Sequence, residues 1–369
     1  MTEDERHMSH ALALGARGLG RVWPNPAVGC VLVRDTRIVG RGWTQPGGRP
    51  HAEVRALAQA GSLARGATVY VSLEPCAHHG KTGPCADALI DAGVARVVSA
   101  VEDPDPRVAG QGHARLIAAG IDVTTGVMEA QARRAHAGFF NRIQRGRPSL
   151  TLKLASSFDG RIATATGESQ WITGPAARRL VHVERARHDA VLVGAGTARA
   201  DDPTLTVRGL GVTHQPVRVV ASRHLNLPGD SRLTATLDQG PVWIVHDASA
   251  NAVSEETRAA WTARGVQLLD GTAGLGGQLD PESILAALGS AGVTRVFCEG
   301  GGALAASFLQ AGLVDELVGF TAGLALGAEG RPALGALGVE ALAAAPRFGL
   351  VEVEPVGGDV LHRWRPIAD

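Results

Sequence analysis

The chain has 369 residues, too many for one typical core, so two domains are expected. Its 45% hydrophobic and 20% charged content is that of an ordinary globular protein, and 36 basic residues balance 36 acidic ones. That balance gives no bulk electrostatic reason for a nucleic-acid or membrane partner, and no apolar run reaches the length of a membrane span.

The start, Met1-Thr2-Glu3-Asp4-Glu5-Arg6, is acidic and lacks the apolar core of a secretory signal. A cytoplasmic location is therefore expected, with Cys30, Cys76, Cys85 and Cys298 as reduced thiols. Residues 4–18 have the spacing of an amphipathic helix, with Met8, Ala11, Leu12 and Leu14 near one face and Gly15 and Gly18 at its end. Pro24-Asn25-Pro26 makes a rigid entry into the apolar run of residues 27–33, a buried strand in which Cys30 is core. Asn25, fixed between prolines, suits either a ligand contact or a local turn.

A second strand is expected over 37–43, and a loop holding Gly47-Gly48 then delivers His51 to a helix over 52–60. A strand over 67–73, a helix over 86–92, a strand over 96–101, a helix over 112–119 and a strand over 121–125 follow. The alternation predicts an α/β domain with a largely parallel sheet and its chemistry at strand ends.

Three residues of this half are zinc-preferring ligands: His51, Cys76 and Cys85. Three protein ligands leave a fourth tetrahedral position for water, which marks a catalytic site; a structural staple would take a fourth ligand, for which His78 or His79 is available. Glu53, two residues from His51, is placed to move protons without ligating. H-x-E followed by Pro-Cys and a second Cys is the pattern of zinc-dependent nucleobase deaminases. Cys76 and Cys85 near helix starts favour thiolates.

A helix over 129–144 ends in Arg145-Gly146-Arg147-Pro148, a hinge that divides the chain into domains 1–146 and 147–369. A strand over 149–155, a polar loop over 156–174 and a helix over 175–187 open the second domain. Mostly apolar strands over 189–193, 217–221, 242–246, 266–269 and 295–299, with helices over 255–264 and 282–291, predict a second α/β sheet. Glu299 leads into Gly300-Gly301-Gly302-Ala303-Leu304-Ala305-Ala306-Ser307 at a helix start, which suits either phosphate binding or tight helix–sheet packing.

Pro24-Asn25-Pro26-x-Val28-Gly29-Cys30, His51-Ala52-Glu53 and the stretch from Leu73 through Lys81-Thr82 to Pro84-Cys85 closely resemble the bacterial bifunctional riboflavin-biosynthesis deaminase/reductases. So do Lys153-Leu154, Asp159-Gly160, the run from Gly167 to Thr173, and Ala200-Asp201-Asp202-Pro203-x-Leu205-Thr206-Val207-Arg208. The likeness spans nearly the whole chain. It implies a cytidine-deaminase-like three-layer α/β/α domain followed by a dihydrofolate-reductase-like α/β domain. The first would remove an amino group from a phosphoribosylated diaminopyrimidinone, with Zn2+ on His51, Cys76 and Cys85 and Glu53 as proton shuttle. Asn25, His78, Lys81 and the Asp103-Pro104-Asp105-Pro106 loop would surround the substrate, Asp105 standing where relatives often carry Asn. The second would reduce the ribosyl chain of the product to ribityl with NADPH. Ala155, Trp171, Thr197, Asp201, Ser222 and the run Gly301, Gly302, Ala303, Leu304, Ala305, Ala306, Ser307 would line the dinucleotide, with Ser222 and Arg223 toward its 2′-phosphate. Ser169, Arg185, Leu205 and Arg208 would hold the substrate, Lys153 and Glu299 would lie near its ribose, and Lys153 or Asp201 would give the proton. Bland roles stand beside these: Trp171 as core, Arg185 on a solvated helix face.

The competing readings are a deaminase whose second domain binds nucleotide without reducing it, a zinc-stapled scaffold, and a nucleic-acid deaminase. Neutral charge and few aromatics weigh against the last. A small phosphorylated pyrimidine is the expected partner, with no nucleic acid and no membrane; whether the chain forms a homo-oligomer is left open.

Overall fold

The computed structural model describes residues 1–78, 83–106 and 108–367. The chain divides into two compact units, Met1–Gly146 and Arg147–Asp369. Among the described residues no helix is long and apolar enough to cross a membrane.

The first unit opens with α1 (Glu3–Gly15), whose start is fixed by a Thr2/Glu5 capping box. Then come β1 (Gly29–Arg34), β2 (Arg37–Trp43), α2 (Ala52–Ala60), β3 (Thr68–Val71), α3 (Cys85–Ala92), β4 (Arg96–Ser99), α4 (Gln111–Ala118) and β5 (Asp122–Thr125). The sheet order is β2-β1-β3-β4-β5. β3, β4 and β5 are parallel, but β1 runs antiparallel to both β2 and β3. The expected largely parallel sheet is thus mixed, because the short turn after Arg34 folds β1 and β2 into a hairpin.

Glycines set how closely the helices lie on this sheet. A Cβ on Gly42 would sit 2.0 Å from the Ala52 carbonyl oxygen, and one on Gly40 would sit 2.3 Å from that of Ala56. Two strand glycines facing Ala52, Ala56 and Ala60 let α2 lie backbone to backbone on β2, which fixes where its first turn points. The expected helix over 129–144 is broken into α5 (Glu129–Ala135) and α6 (Ala137–Arg145). At the break, buried His136 turns inward to the hydroxyl and carbonyl of Ser72 at 3.2 and 3.1 Å.

The second unit contains β6 (Ser149–Ser157), β7 (Arg161–Ala163), α7 (Pro175–Ala186), β8 (Ala190–Gly194), α8 (Ala195–Asp201), β9 (Val217–Ala221), α9 (Arg232–Ala235), β10 (Val242–Asp247), α10 (Glu255–Ala263), β11 (Gln267–Gly271), α11 (Pro281–Ser290), β12 (Arg295–Cys298), α12 (Gly302–Gln310), β13 (Glu316–Ala322), β14 (Arg331–Pro332), β15 (Phe348–Val356) and β16 (Asp359–Pro366). Nine strands form one sheet, ordered β11-β10-β9-β8-β12-β6-β13-β16-β15. The run from β11 to β13 is parallel, and β16 and β15 close it as an antiparallel edge. The polar loop after β6 is not structureless: β7 pairs with β14. Helices α8 and α9 and strands β13 to β16 lie outside the sequence expectation.

In this parallel sheet the C-terminal ends of β8 and β9 are level, and β12 ends beside the middle of β6, at the edge where α/β sheets gather ligands.

Candidate active sites

In the first unit, His51 is the N-cap of α2 and Cys85 is the first residue of α3. Cys76 follows β3 and is drawn to the start of α3: the Cys85 N–H donates to its sulfur at 3.3 Å and the Ala86 N–H to its carbonyl at 3.2 Å. His51 Nδ1 lies 3.3 Å from Cys85 Sγ and 3.7 Å from Cys76 Sγ, and the three ligand atoms fall within 4.8 Å of one another. Tetrahedral zinc, with bonds of about 2.3 Å to sulfur and about 2.0 Å to nitrogen, sets such atoms about 3.6 Å apart. The spacing and donor set fit zinc. Among the described residues no fourth protein ligand joins them: His78 does not converge with the three, and its Nδ1 is buried without a hydrogen-bond partner.

The hydrogen bond from Cys85 holds the Cys76 thiol down at about 4, against burial, with His51 and the Cys85 N–H adding to it. Glu53, on the first turn of α2, is 3% exposed. Burial pushes its carboxyl up to about 7, against the pull of His51. A carboxyl that gains and loses a proton near neutrality is what a shuttle requires.

Asn25 packs against Gly48, where a Cβ would lie 1.9 Å from Asn25 Nδ2, and it donates to the Val22 carbonyl at 3.4 Å. Asp103 and Asp105 are both buried, with the Asp105 N–H donating to Asp103 Oδ1 at 2.8 Å. Burial lifts Asp103 to about 7 against that hydrogen bond. Lys81 and His79 lie outside the described residues.

In the second unit, register assembles the charged centre. β12 pairs Cys298 with Leu152 of β6, so the next residues, Glu299 just past the end of β12 and Lys153 midway along β6, are neighbours. Glu299 accepts two hydrogen bonds from Arg185 of α7, at 2.5 and 3.0 Å. Burial alone would raise the Glu299 carboxyl, but Arg185, Lys153 and His182 outweigh it and hold it below the usual range. Burial lowers the Lys153 ammonium, Glu299 opposing. Asp201, at the exposed end of α8, is raised by burial and lowered by Lys153, with a net upward shift.

Arg185 is neither free nor on a solvated face: its side chain is 11% exposed, and its third contact is the Thr206 carbonyl at 2.8 Å. That contact belongs to a segment held mainly from outside, with an internal bond running from the Thr206 hydroxyl to that of Thr204 at 3.2 Å. Arg218 reaches the Thr204 carbonyl at 3.4 Å, and the Gln215 amide accepts from Val207 N at 2.6 Å and donates to Val207 O at 3.1 Å. His182 Nδ1 accepts from Arg208 N at 3.3 Å. Buried Leu205, at φ +55°, and exposed Arg208 sit on this segment. No sequence signal marks Gln215 or His182, since both act through backbone atoms.

The glycine run after Glu299 serves both readings offered for it. A Cβ on Gly300 would lie 2.8 Å from Gly194 N, so tight packing is required there. Gly301 and Ala303 nevertheless remain exposed, and the first-turn N–H groups of α12 have no intrahelical partner. Gly301 N donates to Thr197 Oγ1 at 3.1 Å, tying the turns after β8 and β12 together. This open helix start between two turns fits a dinucleotide phosphate. Ala155 is half-buried on β6, Ser222 is buried just after β9, and Ser307 bonds within α12. Arg223 is paired with Asp247 at 3.1 Å. Ser169 is half-buried in the loop before α7. Trp171 is 66% exposed, which rules out a core role, and Arg178 lies 4.5 Å above its ring.

Comparison with known proteins identifies the family of each unit. Residues 1–101 match the cytidine and deoxycytidylate deaminase zinc-binding region, and residues 148–362 match the RibD C-terminal domain. Riboflavin biosynthesis protein RibD of Escherichia coli K12 is 44% identical, with 98% of this chain and 99% of that protein covered; its counterpart in Aquifex aeolicus is 40% identical, covering 97% of each. Among solved structures, Acinetobacter baumannii RibD superposes with a TM-score of 0.87 at 39% identity, covering 99% of both chains. A Thermotoga maritima diaminohydroxyphosphoribosylaminopyrimidine deaminase/5-amino-6-(5-phosphoribosylamino)uracil reductase does so at 0.85 and 35%, again over 99% of both. The chain belongs to the RibD family of bifunctional riboflavin-biosynthesis enzymes, in which a zinc-binding deaminase domain precedes an NADPH-using reductase domain.

Proposed function

We propose that residues 1–146 deaminate diaminohydroxyphosphoribosylaminopyrimidine and that residues 147–369 reduce the resulting 5-amino-6-(5-phosphoribosylamino)uracil, the two activities named for the Thermotoga protein. The observation that carries this reading is the convergence of His51, Cys76 and Cys85 at zinc spacing beside buried Glu53. Those three residues hold zinc, which when bound supplies a Lewis acid that makes water nucleophilic near neutral pH. Glu53 takes the proton of the attacking water and delivers it to the departing ammonia. Asn25, His78, Lys81 and the Asp103 loop orient the pyrimidine.

In the second unit NADPH supplies the hydride. Thr197, Asp201, Ser222, Ala155, Trp171 and residues 301–307 bind it, the start of α12 facing phosphate. Glu299 and Lys153 hold the ribose, while Ser169, Leu205 and Arg208 position the rest of the substrate. Lys153 is the better-placed proton source, being half-buried beside Glu299 where Asp201 is exposed. Arg185 acts through Glu299 and Thr206. The enzyme works in the cytoplasm, in keeping with four free cysteines.

Two assays on one preparation test the reading: ammonia release from the diaminopyrimidine, and NADPH consumption with the deaminated product. Both are expected. Ammonia release without NADPH consumption would favour a second unit that binds nucleotide and reduces nothing.

A further inference from the structure

Glu74 precedes Pro75-Cys76, and its side chain is completely buried. A buried carboxylate is costly unless hydrogen bonds use its lone pairs. Here four backbone N–H groups do so. Oε2 accepts from Asp103 at 3.2 Å and Gly110 at 3.0 Å; Oε1 accepts from Gly112 at 2.8 Å and His113 at 3.2 Å. Gly112 and His113 open α4, where the helix dipole favours an anion. The approach is close: a Cβ on Gly112 would lie 2.0 Å from the Pro75 carbonyl oxygen. Glu74 also lies near Glu102 and His113 in a grouping that resembles a cation site. With four N–H donors on its oxygens, it is an anchor for backbone rather than for metal.

We propose that Glu74 is a positioning residue of the deaminase centre. It fastens the segment carrying Cys76 to the turn that begins at Asp103, so that the metal ligand and the buried Asp103 are set by one carboxylate. The inference rests on the reading of His51, Cys76 and Cys85 as zinc ligands. Glutamine has the same shape but must turn an NH2 group toward two of the N–H donors, leaving them unpaired in the interior. Aspartate keeps the charge and shortens the reach.

The test compares full-length Glu74→Gln, Glu74→Asp and Cys76→Ser with the parent. Zinc affinity is measured by chelator competition, and cobalt(II) is substituted so that its ligand-field spectrum reports the cysteine geometry. Glu74→Gln is expected to weaken zinc by ~10–100-fold, the usual effect of losing a group that orients a ligand. Its cobalt spectrum should shift, Glu74→Asp should recover part of both, and NADPH consumption should be unchanged. Parental zinc affinity and cobalt spectrum in Glu74→Gln would overturn the proposal. If that variant does not fold, parental zinc affinity in Glu74→Asp would overturn it instead, and weakened affinity there would support it. Cys76→Ser separates the two ideas: zinc kept at parental affinity in that variant would refute the metal site itself.

Discussion

Arg185 grips Glu299 along both edges of its carboxylate, joining α7 to the end of β12 across 114 residues of sequence. The same guanidinium reaches the Thr206 carbonyl, so one side chain sets both the acid beside Lys153 and the segment that carries Leu205 and Arg208. Lysine cannot reproduce a bidentate contact with a third bond at a fixed angle. Arg185→Lys is expected to lower kcat/KM for NADPH-dependent reduction by ~100-fold, while ammonia release stays at the parental rate. Arg185→Ala leaves a buried carboxylate without its partner and should destabilise the second unit by ~3–5 kcal/mol in denaturant titration. A stable Arg185→Ala protein with normal reduction would show the pair to be incidental.

Glu53→Gln preserves the volume of Glu53 and cannot carry a proton. Ammonia release is expected to fall by ~10²–10⁴-fold, with zinc content intact by atomic absorption. Full turnover in the zinc-loaded variant would assign the shuttle elsewhere.

Gln215→Leu removes both halves of the clamp on Val207 and leaves a backbone N–H and C=O to find other partners. At ~1–2 kcal/mol, KM for the pyrimidine should rise ~10-fold. KM for NADPH should hardly move, because among the described residues the Gln215 side chain bonds to Val207, on the segment that carries Leu205 and Arg208. Steady-state kinetics with each substrate varied in turn will tell; equal rises in both constants would point to general loosening.

His188 is buried with both ring nitrogens engaged, Nδ1 toward the Glu184 carbonyl at 2.7 Å and Nε2 toward the Thr151 hydroxyl at 3.0 Å. Burial, aided by Arg295, pushes it down to about 3. The folded state therefore prefers neutral imidazole, and its contribution is complete above the unfolded value of about 6.5. It declines as the pH falls from there toward about 3, amounting to a loss of ~2 kcal/mol by about pH 5. Urea titrations at about pH 7 and about pH 5 should show this drop in the parent and a smaller one in His188→Gln. Equal drops would assign the acid sensitivity to other groups.

What the sequence disclosed follows from the range of the interactions. His51, Glu53, Cys76 and Cys85 stand in short motifs at the starts of helices, so local spacing exposes them. Helix α2 spans the expected 52–60, since His51 caps its start and Gly61 stands at its end. The break at His136 was not, since its cause is Ser72, 64 residues away. Helix α8 begins Ala195-Gly196 and runs only seven residues, too short for periodicity to register. The roles of Gln215 and His182 depend on backbone atoms brought to them by the fold, and Arg185 reads as a surface residue until Glu299 is placed beside it.

The outer edge of the nine-stranded sheet bears on the life of the chain in a crowded solution. β15 exposes Leu350, Val351 and Val353 at 56, 47 and 58%, the composition of a strand that invites another copy to pair with it. Its register shifts between Leu350 and Glu352, Pro355 has no N–H to offer, and Glu352 and Glu354 interleave charge with the apolar residues. An incoming strand would meet an interrupted ladder and like charge from its own counterpart. The register shift and Pro355 thus interrupt the hydrogen-bonding ladder that this edge offers.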